Sequence, residues 1–266
     1  MAVQTIKKGT LEYLVAENIS TPHCFTTRYG GVSTGIYASM NLAIGQDDTL
    51  ENVKKNLGIL GNALGFDVNK LVLTRQIHSD IVRVVTDKDC SGPCHRDYPY
   101  CDALVTNTPG VALLIFTADC TPLLFHDPVT GAVGAAHAGW RGTAQNIGGK
   151  VVAAMVREFG CRPENIRCAI GPNLAKCHFE THRDVPDALS ETFGEEVWTY
   201  IERRGEKFHP DLKQINALAL RRAGVKQIEI SDACTWCESE RFWSHRVTKG
   251  QRGSQGALIH CREVET

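Results

Sequence analysis

The chain has 266 residues, 42% of them hydrophobic and 22% charged, with a formal net charge of -1, the profile of an ordinary globular protein with material for one large core or two modest ones. That balance and a pI near 6.8 exclude a general attraction to nucleic acid or an anionic membrane, so any anion must be recognised locally. No run approaches the ~18 apolar residues of a membrane span, and Met1 to Lys8 lacks the apolar segment of a signal peptide.

A cytoplasmic location is therefore expected. Eleven cysteines, an odd number without a small-domain framework, read as reduced thiols, most of them small buried hydrophobes. Residues 1–266 are read as one domain, with no internal repeat or interdomain linker.

Leu11 to Phe25 supplies a short strand or two and leads into Thr26 to Gly35. There, three glycines near Arg28 suit either close approach to a ligand or a plain glycine-rich turn with a solvated arginine. Thr49 to Leu64 reads as a helix capped near Asp48 or Thr49, with Val53, Leu57, Leu60 and Leu64 on one face. Leu71 to Leu73 and Ile81 to Val85 read as strands that meet around His78. The polar stretch Asp87 to Cys101 carries Cys90, Cys94, His95 and Cys101. It reads first as a flexible lid or insertion and second as a structural zinc candidate, because the compact paired spacing of zinc fingers is missing.

The central stretch runs from Val111 to Phe159. Val111 to Phe116 is apolar and stops at Thr117, Asp119 and Cys120; Pro122 to His126 and Ala132 to Ala136 flank a turn at Asp127 to Gly131. A hairpin folded about Val129 pairs positions summing to about 258, which sets Cys120 within about one residue of His137. The next helix is expected to begin at Gly142, with Ile147, Val151, Ala154, Met155 and Phe159 at helical spacing. With Arg141 beside it, its N-terminus is a phosphate or carboxylate site. Further strands are expected over Asn165 to Ile170, Val225 to Ser231 and Gly256 to Cys261, and helices within Val185 to Trp198 and over Leu212 to Ala223. This order gives an α+β or mixed α/β sandwich.

Three readings of the chemistry compete. His78, Cys120 and His137 form a His2Cys set, three ligands that leave zinc an open position. His178-Phe179-Glu180 with Cys234-Thr235-Trp236-Cys237 superficially matches a zinc-deaminase signature, but Ala233 stands where the proline belongs. Short Cys and His patterns also arise readily in a chain with 11 Cys and 10 His. The third reading is a metal-free Cys120/His137 dyad oriented by Asp119 or His78, as in a hydrolase.

Several segments, in order, resemble the YfiH/laccase-domain family: Phe25 to Ser33, Ser39-Met40-Asn41-Leu42, Gln76-Ile77-His78, Ala118 to Pro122, His137-Ala138-Gly139-Trp140-Arg141-Gly142 and Gly171-Pro172. The resemblance implies a single-domain fold similar to the cytotoxic-necrotizing-factor catalytic domain and zinc on His78, Cys120 and His137. It implies phosphorolysis of adenosine, inosine, guanosine and methylthioadenosine, and deamination of adenosine. Purine nucleosides and phosphate are then the partners. Arg28, Asn41, Arg141 and Gly142 are expected to bind substrate or phosphate, Asp119 to carry a proton beside Cys120 and His137, and Tyr37 or Trp140 to stack on the base.

Copper-dependent polyphenol oxidation is the alternative activity. One His2Cys set falls short of the several copper centres multicopper oxidation requires, although it could bind Cu2+. The departures from the family pattern are local: Asn56-Leu57 for an asparagine-arginine pair, Arg252-Gly253-Ser254 for a threonine-glycine-arginine element, and Phe179-Glu180 for tyrosine-glutamate. They bear on substrate preference rather than on the metal set.

Overall fold

The computed structural model describes residues 3–44, 47–92 and 99–262; Cys94 and His95 lie outside them. The first sheet is built from β1 (Gln4–Lys8), β2 (Leu11–Val15), β3 (His23–Thr26), β4 (Leu71–Leu73), β7 (Ala112–Thr117) and β14 (Gln255–His260), in the order β1-β2-β3-β14-β7-β4. The second contains β5 (Val82–Val84), β6 (Ala103–Thr106), β8 (Thr121–His126), β9 (Val133–Ala138), β10 (Arg167–Ile170) and β13 (Gln227–Ile230), in the order β13-β10-β8-β9-β6-β5. A separate hairpin joins β11 (Ile201–Arg204) to β12 (Lys207–Pro210). Pairing is antiparallel except for β4 with β7, β10 with β13 and β5 with β6, so the fold is a mixed α/β sandwich.

Alternation along the central strands decides the layers. In β7, Leu113 and Ile115 face the second sheet's Leu124, Val133 and Ala135 across the middle core. Ala112 and Leu114 turn outward onto α1 (Leu50–Leu64), which lays down Val53, Leu57, Leu60 and Leu64. In the second sheet Leu123, Phe125 and Ala136 face outward onto α3 (Ile147–Phe159) and α5 (Leu212–Arg222). Both faces of each sheet centre are thus covered, which is why β7 to β9 read as almost unbroken apolar runs. A satellite core joins α5 to α4 (Asp184–Phe193).

Three elements differ from the sequence reading. The hairpin register sums to 259, with Pro122 opposite His137 and Thr121 opposite Ala138, so Cys120 lies two residues from His137's partner rather than one. Helix formation starts earlier than Gly142: α2 (Trp140–Ala144) follows the N-cap Gly139, and the long helix begins only at Ile147, after Asn146 in the left-handed region. The β1 and β6 strands and the β11–β12 hairpin were not anticipated, because short polar-flanked strands carry little periodic signal.

The ends of both sheets meet at one rim. β4 and β7 finish there and β14 begins there, while β8, β6 and β5 start and β9, β10 and β13 finish there. The chain changes sheet at this rim three times, through residues 74–81, 118–120 and 231–254.

Candidate active site

The first two crossings and the end of β9 bring His78, Cys120 and His137 together, with their donor atoms all within 4.8 Å of one another. His78 Nε2 lies 3.8 Å from Cys120 Sγ, and the two imidazoles meet edge to face at 4.9 Å. Both crossings hold a non-glycine residue at positive φ, His78 at 60° and Asp119 at 91°, a backbone cost of about 1–3 kcal/mol each.

Asp102, at the start of β6, is what holds the first crossing in place. Its fully buried carboxylate accepts hydrogen bonds from the consecutive backbone N–H groups of Ile77 (3.1 Å), His78 (3.1 Å) and Ser79 (2.8 Å), from the Ser79 hydroxyl (2.7 Å) and from His137 Nδ1 (2.8 Å). The bond to Nδ1 fixes the tautomer and leaves Nε2 of His137 for the site. Sequence reasoning missed this residue. The available signal was a carboxylate opening the buried run Ala103 to Val105, where a charge needs partners.

The electrostatics follow from this arrangement. Burial raises the Asp102 pKa, but the bonds from His137 and Ser79 outweigh it and hold the carboxylate at about 2. Burial likewise opposes ionisation of Cys120; the charge and hydrogen bond of His137, then those of His78, bring the thiol down to about 6. Burial lowers the His137 pKa, and the Cys120 charge followed by the Asp102 bond carries it up to about 9. These shifts favour a thiolate beside an imidazolium held by Asp102 near neutral pH.

Gly139 closes the group from the other side. A Cβ there would lie 2.9 Å from His78 Cδ2 and 3.2 Å from Cys120 Sγ, so the absence of a side chain makes room for the donors.

The three donors open into a cavity of about 550 Å³, within the range of small-molecule sites. Phe116, Trp140, Leu174, Phe179 and Leu212 give it an apolar wall; Arg141, Arg246 and Arg252 give it a cationic one, and His245 also lines it. Arg141 stacks on Trp140 at 4.3 Å. Arg252 donates to Gly253 O and Ser254 Oγ, while its Nε is buried without a partner among the described residues.

Other residues expected at the site have different places. Arg28 does not line the cavity; its guanidinium lies 4.0 Å over the Trp243 ring and donates to the carbonyls of Ser239 and Ala38. Asn41 is fully buried, donating to Asp48 and accepting from Ala43 and Ser254. Gly142 is buried, and a Cβ there would meet Ser79 O at 3.0 Å. The motifs around Arg28 and Asn41 thus organise loops: a Cβ on Gly31 would fall 2.2 Å from Ser39 O, and Asn56 ties Val32, Ser33, Ser39 and Asn41 together. Tyr37 is not among the cavity-lining residues, whereas Trp140 is. Asp119 lines the cavity, but its carboxylate accepts from Thr235 Oγ1 (2.6 Å) and Arg246 N (2.7 Å), which suits an anchor better than a proton carrier.

The second sequence pattern is also altered. His178, Cys234 and Cys237 do converge, but the fourth member is Cys177. Glu180 pairs with Lys207 at 3.5 Å instead of joining that cluster.

Comparison with known proteins agrees with this architecture. Residues 22–262 match the family model described as multi-copper polyphenol oxidoreductase laccase. The chain is 42% identical to a purine nucleoside phosphorylase of Deinococcus radiodurans, over 94% of this chain and 92% of that one. It is 34% identical to the Escherichia coli purine nucleoside phosphorylase YfiH, over 85% and 88%. The crystal structure of the Bacillus licheniformis hypothetical protein YfiH superposes with a TM-score of 0.91 at 31% identity, covering 98% of this chain and 99% of that one.

Proposed function

The chain belongs to the multi-copper polyphenol oxidoreductase laccase family, and from that premise we propose that it is a zinc-dependent purine nucleoside phosphorylase, with residues 1–266 acting as one catalytic domain. The reading extends to methylthioadenosine phosphorolysis and adenosine deamination. The observation that carries it is the His78, Cys120 and His137 group beneath a cationic and aromatic cavity; relatives named purine nucleoside phosphorylase support the substrate class.

The donor set suits zinc. Two imidazoles and a thiolate converge, Asp102 orients one imidazole, and Gly139 clears the space between them. Bound there by His78, Cys120 and His137, zinc supplies Lewis acidity toward phosphate or water.

The chain's own residues do the rest. Arg141 and Arg252 bind the phosphate charge, and Trp140 with Phe116 and Phe179 takes the base. Phosphate oxygen forms the bond to C1′ of the ribose as the bond to N9 breaks, and the departing purine takes a proton at N7. His245 is assigned a hydrogen bond to that N7, with the proton itself coming from solvent water: its Nδ1 faces the Arg252 guanidinium at 3.4 Å and accepts, which leaves its Nε2–H to donate. In deamination, water adds at C6 and ammonia leaves.

The test is release of adenine and ribose 1-phosphate from adenosine with inorganic phosphate present. Cys120→Ala is expected to abolish turnover and lower bound zinc, and Arg252→Met to raise the KM for phosphate. Release of free adenine that does not depend on phosphate, or full activity in Cys120→Ala, would remove the assignment.

The Cys120, His137 and Asp102 alignment also favours a second reading, a metal-free hydrolase with Cys120 as nucleophile. It predicts activity that survives chelation and is lost on thiol alkylation. Copper-dependent phenol oxidation is ranked below both, since the described residues carry two donor groups and neither is the histidine-rich array of a multicopper cluster.

A further inference from the structure

The loop after β10 and the loop after β13 run side by side at the rim, joined by a bridge between Asn173 and Cys234 and by the Thr235 N–H to Asn173 O bond. They bring Cys177, His178, Cys234 and Cys237 into one group whose donor atoms all lie within 4.8 Å of one another. Cys177 Sγ is 3.5 Å from Cys234 Sγ and 3.8 Å from Cys237 Sγ. His178 Nδ1 is 3.3 Å from Cys177 Sγ and 3.4 Å from Cys237 Sγ.

These separations discriminate between the chemistries open to three clustered thiols. A disulfide needs sulfurs about 2.05 Å apart. A tetrahedral zinc with Zn–S near 2.3 Å and Zn–N near 2.05 Å sets its sulfurs about 3.8 Å apart and sulfur to nitrogen about 3.6 Å. Four of the six edges lie within about 0.3 Å of that tetrahedron, and the other two are within 4.8 Å.

The surroundings are built to the same end. His178 stacks on Trp236 at 5.0 Å and 13°, which holds the ring with Nδ1 toward the sulfurs. The backbone N–H groups of Trp236, Cys237 and Ala175 donate to Cys234 Sγ, the turn by which a C-x-x-C pair presents thiolates to a metal. Zinc with three thiolates carries one net negative charge, and two cations stand by. Buried Lys213 donates to the carbonyls of Ser231 (2.6 Å) and Ala233 (2.8 Å), and Arg204 donates to Cys177 O.

We propose that Cys177, His178, Cys234 and Cys237 form a second, structural Zn2+ site. Four protein donors fill the shell and leave no position for substrate, unlike the three-donor group 78/120/137. Loading the site releases the thiol protons as the three sulfurs coordinate. Its role is to staple the cavity wall: Leu174 and Phe179 from one loop line the cavity, and Thr235 from the other holds the Asp119 carboxylate.

The test is the zinc content of the full chain purified under reducing conditions without chelator. Two zinc ions per chain are expected in the wild type and one in Cys120→Ala. The double variant Cys177→Ser, Cys237→Ser should also hold one, with a lowered melting temperature. The two sites are thus scored separately, so loss of the catalytic assignment leaves this one standing. X-ray absorption on Cys120→Ala, which leaves the cluster intact, should show three sulfur neighbours and one nitrogen. A shell without sulfur, equal zinc in wild type and double variant, or a Cys177–Cys234 disulfide in the unreduced protein would each overturn the proposal.

Discussion

Replacing Asp102 by asparagine keeps the shape of the side chain and removes the charge that organises the site. Five hydrogen bonds end on that carboxylate, two on Oδ1 and three on Oδ2. Whichever way the amide is turned, at least two donors face an N–H group. At about 1–3 kcal/mol for each buried donor left unpaired, the expected loss of stability is about 4 kcal/mol, in keeping with the ~3–5 kcal/mol typical of breaking a buried pair. A fold of ordinary stability survives that loss. The imidazole of His137 also loses its fixed tautomer, which should weaken zinc binding by about 10- to 100-fold. Urea unfolding followed by tryptophan fluorescence gives the first number, and competition against a chromophoric chelator gives the second. A stability change below about 1 kcal/mol together with zinc affinity within about threefold of wild type would refute the reasoning.

Two further outcomes follow from other parts of the molecule. His126 is buried in β8, and burial, then the charge of Arg167, lowers its pKa to about 4, with Asp127 opposing and His23 adding to the shift. The unfolded chain therefore binds the extra proton first, so stability is full above pH ~6.5 and falls by about 3 kcal/mol as pH drops toward 4. His126→Gln should flatten that decline in urea melts, leaving the smaller slopes of His23 and His260, whose pKa values burial also lowers; an unchanged profile would contradict the assignment. Gly139→Ala drives a methyl group against His78 and Cys120. A drop in kcat/KM of about 100-fold with a normal urea midpoint is expected, and activity within threefold of wild type would show that the donors tolerate displacement.

The sandwich was readable because its central strands are buried on both faces and its helices carry clear apolar stripes, as Val53, Leu57, Leu60 and Leu64 show. The convergence of Cys120 with His137 was also legible, since a hairpin makes neighbours of residues at its two open ends. His78 reached the group through the family resemblance and the strand break around it. Asp102 and Cys177 were not legible. Each acquires its meaning from residues far along the chain: Asp102 pairs with His137, and Cys177 approaches Cys234 and Cys237. No local pattern encodes such long-range closures. Arg28 and Asn41 mislead for the opposite reason, because a motif that shapes a loop reads in one dimension like a motif that grips a ligand.

His78 and Cys120 sit on two chain segments that pass from one sheet to the other, while His137 ends a strand of the second sheet. Both crossings also continue strands of the first sheet, β4 and β7, so the donor set is tied to both halves of the sandwich. On the zinc assignment proposed above, metal capture at 78/120/137 would follow the docking of the two sheets. A partly folded chain offers the metal scattered thiols and imidazoles, and a finished one offers an organised seat. Occupancy of that seat would then double as a record of correct assembly.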